Sequence, residues 1–310
     1  MKKIISAATA TGIECLNALV GRMLPFYLNA KWASKPRVPR HSLPGRLVVS
    51  VTSYPLRFPT LPLSLKSLLL QSVAADEVIL WIGKNDEDKL TSEILALRDD
   101  GLTIRFCDDL GPYTKIVPAL MAYPDAYIVT ADDDVYYRPK WLEDLVAHER
   151  GRREVLCHRA HRIRIDPDGL PLPYERWEFN TRAREPSALT FPTGHGGVLY
   201  PPGALHRDAV NVALFSEFSP RADDLWLYWM MRRNGGVARK IGPRRLLFPT
   251  WRGTQRVALW RRNVVEGGNN RCIEAMTARF GFPAGNESSI APRSLDYRGA
   301  RAHSAGAAPR

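Results

Sequence analysis

The chain has 310 residues, with 44 Lys and Arg against 32 Asp and Glu, a net charge of +12, 45% apolar residues and 25% charged ones. This profile fits a folded globular chain of one or two domains and excludes a disordered chain, collagen, a coiled coil and a polytopic membrane protein. Four widely spaced cysteines (Cys15, Cys107, Cys157, Cys272) form no C-x-x-C pair. They support neither a disulfide scaffold nor a cysteine-based zinc site, and fit a reducing compartment.

The first segment, residues 1–45, opens with Lys2 and Lys3, is mostly apolar from Ile4 to Leu28, and ends in a Pro- and Arg-rich stretch (Pro36, Pro39, Pro44) that reads as an extended linker. Gly12, Glu14, Asn17, Gly21, Arg22 and Pro25 interrupt the apolar run. It falls short of the roughly 18 to 20 unbroken residues of a bilayer span. A secretory signal peptide, an amphipathic helix on a membrane surface and an ordinary packing helix are all open readings of it.

Residues 46–53 (RLVVSVTS) are β-branched and of strand length, and residues 60–71 repeat leucine at helical spacing with Pro62 in the first turn. Residues 77–82 (EVILWI) are a second strand, followed by a helix over 89–98, a strand over 102–107, a short helix over 116–122 and a fourth strand over 126–131. Apolar strands alternating with helices predict a parallel sheet covered on both faces. Ligands of such sheets sit outside the carboxyl ends of the strands.

The fourth strand runs into Asp132-Asp133-Asp134. Three adjacent carboxylates repel one another and need compensation when they leave bulk water. A hard divalent cation, Mn2+ or Mg2+, bridging to substrate phosphates supplies it. The alternative is a solvated acidic turn ahead of a helix over 141–149. Lys115, upstream of this strand, is placed to meet a phosphate or to face solvent.

Residues 192–197 (PTGHGG) place Gly194, Gly196 and Gly197 around His195, just before a strand over 198–200. Glycines allow positive φ and close approach of backbone to ligand, so this loop reads either as a floor under a bound sugar or diphosphate or as a simple turn. Asp223 and Asp224 precede a helix over 225–233 that Gly235 and Gly236 end, and one of the two is expected to be its N-cap. Trp226, Trp229 and Trp251 read as core or as sugar-stacking rings. Between Arg232 and Arg271 lie eleven Arg or Lys and one acid, Glu266, a pattern suited to nucleic acid, anionic lipid or a phosphorylated substrate, or to a solvated face. From residue 284 onward the composition is that of a disordered tail.

Together the opening strand (VVSVTSY, 48–54), the motif IVTADDDVY (128–136), TGHGGVLY (193–200) and DDLW (223–226) resemble a GT-A fold glycosyltransferase, family-2-like, of the bacterial polysaccharide and lipopolysaccharide biosynthesis kind. The resemblance spans residues 47–242. It implies a Rossmann-like α/β domain over 46–283, with a nucleotide-binding half (46–140) and an acceptor-side half (141–283). The activity it implies is transfer of a sugar from a nucleotide-diphosphate donor, with uridine as the expected nucleoside, to a hydroxyl of a glycan or lipid-linked acceptor. Asp132 to Asp134 occupy the D-x-D position. Asp134 is then the expected direct metal ligand, with Asp132 and Asp133 as second ligand or ribose contact. Ser53 and Tyr54 would border the nucleotide, Lys115 and the loop Gly194, His195, Gly196 and Gly197 would meet the donor, and Asp224, or Asp223, would be the general base.

Two departures bear on this reading. After His206 the only histidine is His303, in the tail, so a late histidine ligand for the metal is not expected. The Asp triplet also resembles that of retaining enzymes, which leaves inversion as the expectation and retention as its alternative. A sugar nucleotidyltransferase would carry a glycine-rich basic loop after the first strand, where this chain has VTSYPLR (51–57). No nucleic-acid partner is expected, since no reader motif accompanies the charge. The expected location is cytoplasmic, with peripheral contact to the inner membrane through the N-terminal segment.

Overall fold

The computed structural model describes residues 21–35, 37–151, 154–243, 249–251, 254 and 267–283. Residues 1–20, the tail from 284, and Arg244, Arg245, Arg252, Arg256, Arg261 and Arg262 of the basic stretch lie outside them.

Four parallel strands form the first part of a seven-stranded sheet: β1 (Leu47–Thr52), β2 (Glu77–Gly83), β3 (Leu102–Cys107) and β4 (Tyr127–Ala131). Two short strands follow, β5 (Val155–Cys157) and, after a separate hairpin of β6 (Ala160–Arg162) with β7 (Thr190–Pro192), β8 (Val198–Tyr200). With β9 (Ala238–Lys240) the order is β3-β2-β1-β4-β8-β5-β9. The sheet is mainly parallel, as expected, and only β8 runs antiparallel to its neighbours β4 and β5.

The strands read as continuous apolar runs because both faces are covered. Alternate residues divide between two cores. Leu47, Val49 and Val51 pack with Leu80, Val129 and Leu199 on one face, while Val48, Ile79, Ile128 and Val198 pack on the other. Helices α2 (Leu61–Leu69) and α5 (Trp141–His148) cover the first face through Leu61, Leu65, Trp141 and Leu145. The second face meets α4 (Val117–Ala122), α6 (Val212–Phe218), α7 (Asp223–Arg233) and α8 (Gly268–Phe280). Trp226, Trp229 and Trp251 are buried, Trp226 and Trp229 in this second core and Trp251 under the N-terminal helix, so none of the three stacks on a ligand.

The helix expected over 89–98 is shorter. Thr91 accepts a hydrogen bond from Ile94 N and so starts α3 at Ser92–Ala96, with 3-10 turns on either side (Lys84–Lys89 and Leu97–Asp100). Gly235, at φ +75°, ends α7 as expected. The described part of the basic stretch is not a solvated face. Arg232, Arg239 and Lys240 are buried, Arg239 pairs with Glu154 at 2.7 Å, and Arg233 pairs with Asp208 at 2.9 Å.

Residues 21–33 form a helix, α1. Its Leu28 is sealed against Leu70 and Trp251, whereas Met23, Phe26 and Tyr27 stand exposed on the outer side. No described helix is long and apolar enough to cross a membrane. The chain leaves β1 toward β2 and β3 and returns at β4 on the other side of β1. This reversal of winding opens a crevice at the carboxyl ends of β1 and β4.

Candidate active site

One cleft of about 790 Å³ lies over those strand ends. Its wall carries Ser53 and Tyr54 from the end of β1, Lys115 ahead of α4, Asp132, Asp133 and Asp134 from the end of β4, Gly194 and His195 from the β7–β8 turn, and Asp223 and Asp224 from the start of α7. Residues up to 171 positions apart in sequence thus meet because their elements all end on one side of the sheet.

The Asp triplet is anchored through its backbone. Asp132 N donates to Tyr137 Oη at 2.6 Å, Ser64 Oγ donates to the Asp133 carbonyl at 2.7 Å, and Trp251 N donates to the Asp134 carbonyl at 3.0 Å. The three carboxylates therefore splay apart, each toward a different partner. Asp132 lies 3.2 Å from Lys115 Nζ and 3.8 Å from His195 Nδ1. Asp133 accepts from Ser53 Oγ at 2.6 Å, and Asp134 accepts from Arg57 Nη1 at 2.6 Å. Burial raises Asp132, but Lys115 and His195 outweigh it and hold the carboxyl below its ordinary value. Burial pushes Asp133 up to about 6 despite the Ser53 hydrogen bond.

Lys115 joins the two acidic groups of the site. Its ammonium is 3.2 Å from Asp132 and 3.2 Å from Asp223, so its charge is shared between carboxylates. One ammonium faces three carboxylates here, since Asp224 also feels it. The surplus negative charge appears on the α7 pair. Burial, then the neighbouring Asp223 carboxylate, pushes Asp224 up to about 7, and burial raises Asp223 as well. Neither acid is the N-cap expected from the sequence. That position is Ala222, with no side-chain cap bond, because both carboxylates turn inward to the cleft.

Asp224 is held by the glycine loop. Gly194 N donates to Asp224 Oδ2 at 2.9 Å, and a Cβ at Gly194 would stand 2.7 Å from Asp224 Oδ1 and 3.1 Å from Lys115 Nζ. Gly196 and Gly197, expected as donor contacts, lie off the cleft wall. Trp141 Nε1 donates to the Gly196 carbonyl at 2.7 Å, and its ring covers Gly197, which sits at φ +95°. These two glycines admit the indole that backs the loop.

Sequence reasoning passed over Arg57, Tyr137, Asp86, Asp109, Arg159, Tyr174 and Asn269, all but Tyr137 on the cleft wall. Arg57 had a readable signal, a lone cation four residues past a strand end. The others are brought in by tertiary structure.

Among the described residues no cluster of three or more His, Cys, Asp or Glu forms a complete metal cage. The donor set nevertheless fits a hard divalent cation, because Asp132 and Asp134 present carboxylate oxygens and no thiol lines the cleft. Such ions are commonly bound by one or two carboxylates together with substrate phosphates and water.

The sequence profile of glycosyl transferase family 2 matches residues 51–209, just over half of the chain, from within β1 past the triplet and the glycine loop. No curated protein matches the sequence. Among solved structures the chain is similar to a mannosyltransferase from Pyrobaculum calidifontis in complex with GDP-Man and Mn2+ (13% identity, TM-score 0.44, 86% of this chain and 75% of that one). It is also similar to 4-diphosphocytidyl-2C-methyl-D-erythritol synthase from Anaerococcus prevotii (16%, 0.44, 73% and 96%) and to residues 1–349 of TarS from S. aureus (15%, 0.37, 64% and 59%). The profile match runs through the same strand ends and loop that build the cleft, and the chain belongs to glycosyl transferase family 2, a glycosyltransferase of the GT-A fold.

Proposed function

We propose that the protein transfers a sugar from a nucleotide-diphosphate donor to a hydroxyl of a glycan or lipid-linked acceptor, by direct displacement with inversion, using Asp224 as general base. The observation that carries this reading is the Asp224 carboxylate, buried, pushed up to about 7 and fixed by Gly194 N across the cleft from the Asp triplet. A base near neutral pH is well matched to withdrawing a hydroxyl proton. Asp224 accepts the acceptor's proton as its oxygen bonds to the anomeric carbon, while the bond from that carbon to the β-phosphate oxygen breaks and the nucleoside diphosphate leaves.

Ser53, Tyr54, Asp86 and Asp109 line the cleft beyond the ends of β1, β2 and β3, where the two carboxylates would accept from the N–H groups of a nucleobase. Asp134 and Asp132 would hold the divalent cation, Mn2+ or Mg2+, which neutralises charge developing on the diphosphate. Lys115 holds Asp132 low and opposes the rise that burial imposes on Asp223, and its position between them ties the donor side to the base. A uridine diphosphate donor is the family-level choice.

The location we propose is the cytoplasmic face of the inner membrane. The exposed Met23, Phe26 and Tyr27 on α1, in a segment that begins with Lys2 and Lys3, support peripheral contact with an anionic bilayer, where a lipid-linked acceptor would be met. Loss of the protein's binding to anionic vesicles at low salt on Phe26→Ser would be the expected sign of this contact.

The decisive measurement is titration calorimetry of UDP and GDP with and without Mn2+ on the wild type and on Asp134→Asn, which keeps an acceptor for Arg57. One nucleotide should bind in a Mn2+-dependent manner that the substitution abolishes. A folded wild type that binds neither nucleotide would sink the reading.

A further inference from the structure

The cleft has a further wall beside Asp224. This wall is made by Arg159 between β5 and β6, Tyr174 in the following turn, and Asn269 at the start of α8. The turn and the helix are joined, as Tyr174 N donates to Asn270 Oδ1 at 2.7 Å.

Three features mark this wall as a ligand site. The first is charge. The buried Arg57 and Arg239 have carboxylates, Asp134 and Glu154, but among the described residues no carboxylate lies within ion-pair distance of the half-buried Arg159. A guanidinium partly withdrawn from water without an ion-pair partner is destabilised by its burial, and a bound anion relieves this. The second is the hydrogen-bond inventory. Arg159 Nη1 donates to Thr193 Oγ1 at 3.2 Å, whereas its Nε and Nη2, the Tyr174 hydroxyl and the Asn269 carboxamide have no hydrogen-bond partner among the described residues. All three side chains bring donors to one wall. Burial holds the Tyr174 phenol far above its ordinary value, so it stays a donor. The third is position. Asp224 is the carboxylate that attracts Arg159, whereas the triplet is governed by Lys115, His195 and Arg57.

We propose that Arg159, Tyr174 and Asn269 form an anion subsite for the acceptor, binding a carboxylate or phosphate on the sugar whose hydroxyl Asp224 deprotonates. The acceptor class is then a uronic acid or a phosphorylated sugar rather than a neutral one. This inference rests on the assignment of Asp224 as base and of the triplet as the donor side.

Saturation-transfer NMR with glucuronate, glucose 6-phosphate and glucose, on protein saturated with UDP and Mn2+, tests it. Both anionic sugars should bind at least about tenfold more tightly than glucose, in line with a charge-assisted bidentate contact. Arg159→Gln should remove that advantage while leaving the UDP affinity unchanged. Asn269→Asp, which sets a negative charge on the same wall from a different element, should do the same. Both variants should keep the wild-type circular dichroism, and Arg159→Gln should melt no lower than the wild type, because removing a cation that has no ion-pair partner relieves its desolvation cost.

Equal binding of glucose and the anionic sugars would overturn the proposal. So would an Arg159→Gln variant that loses UDP affinity, which would make Arg159 a donor-phosphate ligand. A preference for UDP-glucuronate over UDP-glucose that depends on Arg159 would overturn it too, by moving the anion to the transferred sugar. A wild type that fails to bind UDP would instead refute the donor reading on which the inference depends.

Discussion

Replacing Asp224 by Asn should stabilise the protein while disabling it, and the two effects have one cause. The carboxyl of Asp224 is pushed from an ordinary 3.8 to about 7 by burial and by Asp223. A folded-state pKa above the unfolded one means that the neutral form favours folding. That contribution is fully present below pH 3.8 and is lost as pH rises through about 7. Above pH 7 the ionised carboxylate therefore opposes folding by at most ~4 kcal/mol, at 1.36 kcal/mol per pH unit. Sharing of the charge with Asp223 through Lys115 reduces the expected effect to ~2 kcal/mol. Asn keeps an oxygen to accept from Gly194 N and removes the charge. At pH 8 the variant should melt about 4 °C or more above the wild type, with the difference vanishing toward pH 4. Its transfer rate should fall roughly a thousandfold, within the range for loss of a general base. Calorimetric melting at the two pH values, together with a turnover assay, reads both. A variant less stable than wild type at pH 8, or one of unchanged turnover, would refute the account of Asp224 as a strained, buried base.

Four further outcomes are expected. The rate of sugar transfer by the wild type should rise with pH through about 7 and then level, as Asp224 loses its proton, and a steady-state pH profile checks this. Gly194→Ala should leave the donor Kd nearly unchanged and lower turnover, because the new Cβ would sit 2.7 Å from Asp224 Oδ1 and displace the base; calorimetry and kinetics separate the two. Gly197→Ala should destabilise the fold by several kcal/mol, since it combines φ +95° with a Cβ 2.4 Å from the Trp141 ring, and a thermal melt reads it directly. Lys115→Met should lower stability by about 3–5 kcal/mol in denaturant unfolding at pH 8, as it leaves Asp132, Asp223 and Asp224 without their shared cation.

The expected helix over 89–98 and the short late strands show where sequence reading stops. Thr91 as an N-cap was visible as a residue type, yet the helix expected from residue 89 began three residues too far upstream. β5, β6, β7, β8 and β9 are three residues each. Such strands are too short for periodicity to register, and only β8, preceded by its glycine loop, was legible. Their pairing, which turns the sheet mixed, is set by long-range packing that no local pattern encodes. The basic stretch misled for a related reason, since Arg239 reads as surface charge until Glu154 is found beside it, 85 residues away in sequence.

The sequence by itself determined the first four strands, the Asp triplet at the end of β4, the acidic pair at the head of α7 and the membership of a nucleotide-sugar fold. Each of these is written in a contiguous run whose period or composition has a direct physical meaning. Only the tertiary structure decided which acid faces which partner. It gave Asp132 to Lys115, Asp133 to Ser53 and Asp134 to Arg57, and it set Asp224 rather than Asp223 on Gly194 N. It also brought Arg159, Tyr174 and Asn269 to one wall. Charge and hydrogen bonding act through a few ångströms of space, and that distance is fixed by how the sheet and helices pack, not by spacing along the chain.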